Sequence, residues 1–252
     1  NGEHWFIHPI NVVYNLKKAG ISDPVVLAIG LLHDYVEDQV DFYQEEKGIE
    51  LDTVGLKTLH GYQQECFQQL AADLGTVARP KDVANIVAVV DALTRYKENY
   101  YLHSMAGIFE HPRKALKEMA IQVKLADRMH NIQSLSNFTN ERRLYECFKN
   151  LSVLNNAKQF IFSNYGKKQF FARPSHPTVK LFSQCCKATY EAFLRLCLMQ
   201  RRKGISEVCT FLQLAFKKYQ FEVGGLWKIT TFNYQEVHPL RLYHGIVRKY
   251  EA

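Results

Sequence analysis

The sequence predicts an all-α protein, and three observations carry that expectation. Apolar residues recur at helical spacing through most of the chain. Helix punctuation is placed where that spacing needs it, with Asp23-Pro24 opening one apolar run and Gly20 closing another. Strand-like composition is confined to one stretch near the C-terminus. At 252 residues, 47% of them apolar, the chain is long enough to bury a substantial core.

Taken in order, Pro9 belongs to the first turn of a short helix that runs through Leu16 and ends at Gly20. Asp23 caps the next helix and Pro24 takes its first position. Val25–Leu32 is nearly all apolar and must lie inside the protein. The charged run His33-Asp34-Tyr35-Val36-Glu37-Asp38 reads as the polar end of that same helix, with His33 sharing a face with Glu37 and Asp34 with Asp38. Residues 41–57 are polar and acidic and read as a loop or exposed linker. Helical stretches follow over 58–75, 81–96 and 112–135, the last with Met119, Ile121, Val123, Leu125 and Ala126 at its apolar positions. Further helices are expected over 141–163, 177–200 and 204–219. Asn164-Tyr165-Gly166-Lys167-Lys168, Pro174 and Pro177 mark a connecting stretch between the first two of these. Gly224-Gly225 introduces a run of β-formers over 226–234 that reads as a strand or short hairpin. The organisation expected is a helical bundle over residues 1–140 followed by a basic, mostly helical region over 141–252.

Charge separates the same two regions. Residues 1–141 carry 13 Lys+Arg against 19 Asp+Glu, a balance of −6, whereas residues 142–252 carry 19 against 6, a balance of +13. An acidic half suits cations, and a basic half suits phosphates or nucleic acid unless it is simply a solvated face. No stretch approaches the roughly 18 consecutive apolar residues of a membrane span, and the first residues lack the basic-then-apolar pattern of a signal peptide. The expectation is a soluble, cytoplasmic protein. The six cysteines include no C-x-x-C pair, which removes a zinc knuckle or dithiol redox motif and leaves buried free thiols.

The chemistry-bearing residues cluster. His33, Asp34, Glu37 and Asp38 come directly after eight residues that the core must bury. Uncompensated carboxylates are costly there, so the group wants either a cation or immediate solvent. The run Gly2-Glu3-His4-Trp5-Phe6-Ile7-His8-Pro9 sets a histidine at the entrance of the first helix. Lys124-Leu125-Ala126-Asp127-Arg128-Met129-His130-Asn131 carries an aspartate inward on an apolar helix, with Asn131 one turn on. Two imidazoles and two carboxylates form a mixed N/O set suited to Mn²⁺, Fe²⁺ or Zn²⁺, with positions left for water and a substrate oxygen. Glu37 and Asp38 would then stand beside the ion as proton-handling groups or as solvated carboxylates.

The segments NGEHWFIHP, LLHDYVEDQ and VKLADRMHN, with VANIVAVVDALTR before the last, resemble the signature segments of the (p)ppGpp hydrolase domain of RelA/SpoT homologues, a stand-alone type within the HD superfamily. The resemblance covers about residues 1–135. It implies an HD-type helical bundle in which His8, His33, Asp34 and Asp127 bind one Mn²⁺ and Glu37 and Asp38 form an acid/base pair. Asn131 and Arg128 would contact a guanine-nucleotide substrate. The reaction implied is hydrolysis of the 3′-pyrophosphate of guanosine tetra- or pentaphosphate to GDP or GTP and pyrophosphate. Gln39 stands where the family often has threonine, and Arg95 where lysine is usual. Nothing after residue 140 resembles the family's synthetase domain, so alarmone synthesis is not implied. Two other readings stay open: an HD phosphohydrolase acting on another nucleotide, and a regulatory module that binds an alarmone or RNA through the basic half without turnover.

Overall fold

The computed structural model describes residues 6–99, 101–135, 138–171 and 176–203, and all of their regular structure is helical. The expected all-α class holds. The helix expected over 204–219 and the β-formers of 226–234 lie outside the described residues. Contacts divide the chain into two compact units, one running to Lys124 and the other from Leu125 onward.

In the first unit, α1 (Ile7–Ala19) ends on Gly20, whose φ of 98° lets its N–H turn back onto the carbonyls of Leu16 and Lys17. The second helix, α2 (Pro24–Leu32), starts as expected, with the Asp23 carboxylate accepting from the Val25 N–H at 2.9 Å and Pro24 in the first turn. Val12 and Leu16 of α1 and Ile29 of α2 are fully buried where these two helices pack. They approach closely because Gly30 has no side chain. A Cβ there would lie 2.8 Å from Leu16 Cδ1 and 3.3 Å from Val13 Cγ2. Gly30→Ala gains about 1 kcal/mol of helix propensity but overpacks a fully buried leucine at a cost of about 1–3 kcal/mol. A net loss of thermal stability is expected, checked by scanning calorimetry. A variant as stable as the parent would show that this close approach does not matter.

The acidic run is not the end of α2, as the sequence led us to expect. The helix stops at Leu32, His33 and Asp34 form a turn, and a new helix, α3 (Tyr35–Lys47), begins. Its first turn holds Glu37 and Asp38, where the partial positive charge of unpaired N–H groups favours carboxylates. Only Gly48–Asp52 separates it from α4 (Thr53–Gly75), so most of the loop expected over 41–57 is helical. Polarity misled there: α3 fully buries only Val36 and Val40 and leaves its other residues half-buried or exposed, so it lacks the wide apolar stripe that marks a helix. Asp52 caps α4 by accepting from the Gly55 N–H at 2.8 Å. Then come α5 (Pro80–Leu93) and α6 (Tyr101–Glu110), a helix the sequence reading left unassigned. α4 packs on α3 and α5, and α5 also packs on α2 and α6.

The boundary between units falls within α7 (Lys114–Gln133). In the second unit, α8 (Asn140–Phe171) packs along α9 (Pro177–Lys203) over a core that includes Phe148, Leu151, Ile161 and Leu181. Within 164–168, part of the stretch expected to connect them, Gly166 at φ 77° and ψ 155° kinks α8 into two helical pieces, and Pro174 lies outside the described residues. Cys66, Cys147 and Cys185 are buried and Cys186 is half-buried, all as free thiols. Among the described residues no helix is long and apolar enough to cross a membrane.

Candidate metal centre

In the first unit the packing of α1 on α2 brings His8 to His33, and the turn after α2 adds Asp34. His33 is buried, with its Nδ1 2.9 Å from the Gly30 carbonyl oxygen. A carbonyl only accepts, so the ring hydrogen sits on Nδ1 and the Nε2 lone pair faces the other way. That Nε2 lies 3.2 Å from His8 Nε2 and 3.2 Å from Asp34 Oδ2, and His8 Nε2 is 3.4 Å from the same carboxylate oxygen. Three donor atoms thus form a nearly equilateral triangle. Atoms bonded to one cation at about 2.0–2.2 Å lie roughly 3.0–3.5 Å apart, so the triangle fits a first-row divalent ion. Without a proton or a cation between them, lone pairs this close repel. Among the described residues these three form the group able to hold a metal ion.

Glu37 and Asp38 flank the triangle's carboxylate in sequence, one turn into α3. Burial pushes the Glu37 carboxyl above its ordinary range; Arg95 pulls it back, Asp34 pushes it up again, and Lys124 opposes that rise. Glu37 accepts from the Arg95 backbone N–H at 3.4 Å, and the Arg95 guanidinium lies 3.3 Å from its other oxygen. Burial together with repulsion from Asp34, Glu37 and Asp41 pushes Asp38 up to about 6, although its side chain still reaches solvent. Asp41 is paired with Lys97. The sequence reading noted Arg95 only for departing from a pattern and passed over Lys97 and Lys124. No periodicity could have found the Arg95–Glu37 pair, since 58 positions separate its members. On the neighbouring α4, His60 lies 3.9 Å from Glu98.

The remaining expected site residues belong to the second unit. Asp127 is 3% exposed, and the Asn131 amide donates to its Oδ1 across one helical turn. Arg128, expected to contact substrate, is 3% exposed and directs its guanidinium to α8: Nε donates to Asn150 Oδ1 at 2.6 Å and Nη2 to Glu146 Oε2 at 2.6 Å. Asn150 returns a hydrogen bond to the Arg128 carbonyl and another to Thr189 of α9. Burial alone would raise the Glu146 carboxyl, but Arg128 and Lys149 more than offset it and hold it below its ordinary range. This network ties α7, α8 and α9 together, which accounts for a buried arginine without substrate.

No family model matches the chain, and no solved structure matches it. Over 135 residues the chain is 30% identical to the probable guanosine-3′,5′-bis(diphosphate) 3′-pyrophosphohydrolase of Mycoplasma genitalium. That stretch covers 54% of this chain but only 16% of the relative, so the similarity is to about one sixth of a longer protein.

Proposed function

We propose that the chain is a divalent-metal-dependent phosphohydrolase that removes the 3′-pyrophosphate of guanosine tetra- or pentaphosphate. The observation that carries this reading is the His8–His33–Asp34 triangle with the His33 tautomer set by the Gly30 carbonyl, because it brings two imidazole nitrogens and a carboxylate oxygen to one point. The similarity to a pyrophosphohydrolase supplies the substrate class. Mn²⁺ is the ion we assign, with Asp127 as the fourth protein ligand by the resemblance. An ion held there supplies positive charge that polarises a phosphoryl oxygen. Glu37 and Asp38, both raised toward neutrality by burial, are the groups we assign to move protons. Asn131 remains the nucleotide contact, while the donors of Arg128 that reach α8 are spent on Glu146 and Asn150. We assign residues 1–140 to catalysis. The basic region beyond them is assigned to phosphate-rich partners, whether the substrate or a nucleic acid.

Incubation of guanosine tetraphosphate with the protein and Mn²⁺, followed by ion-exchange separation, is expected to yield GDP and pyrophosphate, with no turnover after chelation. If the alarmone survives while another nucleotide in a panel is hydrolysed, the substrate assignment is wrong and the phosphohydrolase reading stands. Tight alarmone binding without turnover of any nucleotide would favour the regulatory module.

A further inference from the structure

Thr94, at φ −70° and ψ 129°, leads the chain out of α5, and after Arg95 and Tyr96 it turns at Lys97 and Glu98, so that successive side chains face different helices. Arg95 and Lys97 turn to α3, where they meet Glu37 and Asp41. Tyr96 and Glu98 turn the other way. The Tyr96 hydroxyl donates to Asp91 of α5 at 2.6 Å, and Glu98 lies 3.9 Å from His60 of α4. Glu37 and Asp41 are four apart on α3 and so share a face, about 6.0 Å apart along the helix. Arg95 and Lys97 meet that one face of α3 together, one pair on each of two successive turns. The pairs are also partly withdrawn from water. One partner of each is sheltered, Lys97 at 13% and Glu37 at 26% exposed, while Asp41 and Arg95, at 51% and 37%, still meet solvent.

We propose that Thr94–Glu98 is a strap that sets the Glu37 carboxylate, with Arg95 as the positioning residue and Lys97–Asp41 as the pin that fixes its register. The proposal rests on the phosphohydrolase reading, since that reading gives Glu37 its work. Arg95 grips the carboxylate at both oxygens, through its guanidinium and its own backbone N–H, so the side chain of Glu37 is held in one rotamer only while the strap lies in place. Lys97 touches neither Glu37 nor the triangle in these contacts, yet removing its charge frees the strap to slide. Tyr96 closes the far side against Asp91, and a turn from the Asn99 N–H to the Tyr96 carbonyl at 2.9 Å ends the segment.

Two measurements on the whole chain test this. In the metal-free protein, hydrogen exchange of the Arg95 amide followed by NMR should be about tenfold faster in Lys97→Gln than in the parent. Asp41→Lys combined with Lys97→Asp, which restores the attraction with its sign reversed, should return the protection that each single change loses. With Mn²⁺ and guanosine tetraphosphate, Lys97→Gln should lower kcat about tenfold at unchanged KM and unchanged Mn²⁺ affinity, and the paired reversal should recover the rate. A residue that merely stabilised the fold would lower Tm without that rescue. Unchanged Arg95 exchange in Lys97→Gln overturns the pin, and unchanged kcat with a loosened strap overturns the positioning role. A parent protein that shows the exchange pattern but hydrolyses no nucleotide of the panel removes the phosphohydrolase reading, and with it the catalytic use of the strap.

Discussion

Asp34→Ala is expected to abolish Mn²⁺ binding and turnover together, with little effect on the fold. Asp34 supplies the single carboxylate oxygen of the triangle, placed 3.2 Å and 3.4 Å from the two imidazole nitrogens. A divalent ion left with neutral imidazoles loses the formal negative charge that those ligands cannot replace. The side chain is 43% exposed, so its loss opens no buried cavity. Asp127→Ala should have the same effect on metal if Asp127 is the fourth ligand, but it is buried and bonded to Asn131, and leaving that amide without its acceptor costs about 1–3 kcal/mol. Asp127→Asn is therefore the cleaner companion. Atomic absorption after desalting measures bound Mn²⁺ directly. Stoichiometric metal retained by both Asp34→Ala and Asp127→Asn would sink the ligand assignment.

Most helices were legible because burial imposes a period and caps impose an end. Asp23, Pro24 and Gly20 each do in space what their positions implied. What escaped the sequence was the break at His33–Asp34, since an uninterrupted helix would give the same run of residue types. Asp34 adopts φ −101° and ψ −3°, near enough to helical values that nothing local forbids continuation. The break matters, because it lets Asp34 turn back to His33 and His8 while Glu37 and Asp38 open a new helix. The three residues of the triangle were each visible, two as neighbours in sequence and His8 as a histidine entering a helix. Their residue types grouped them as ligands of one ion, but their spacing was not legible, since it depends on how closely α1 approaches α2 at Gly30. Nor was Arg128 readable as a structural residue: an arginine beside an aspartate looks the same whether it meets a phosphate or, as here, Glu146 and Asn150.

Glu37→Gln and Asp38→Asn are expected to keep the metal and to lose rate by about 10²–10⁴-fold, the size of a general acid/base contribution. Neither side chain belongs to the triangle, so Mn²⁺ stoichiometry should hold in both. The two should differ in stability, and the sign follows from their environment. Asp38 binds its proton more tightly folded, at about 6, than unfolded, at its ordinary 3.8. Its protonated form therefore contributes stability that is fully present below about pH 4 and is lost as pH rises through about 6. At pH 8 the metal-free parent carries the cost of an ionised carboxylate crowded by Asp34, Glu37 and Asp41, which Asp38→Asn lacks. Because the Asp38 side chain reaches solvent, only part of that cost is realised, and the variant should gain about 1 kcal/mol at most. Its Tm should exceed the parent's at pH 8 and converge with it near pH 4. In Glu37→Gln, Arg95 loses a charged partner, and that offsets the relief from burial, so a smaller gain or none is expected. Calorimetric scans at the two pH values, run beside the rate measurements, separate the roles. An inactive Asp38→Asn that is more stable at pH 8 identifies a carboxylate kept for chemistry at the expense of the fold. Rates unchanged in both variants would leave the pair as solvated carboxylates at the start of α3.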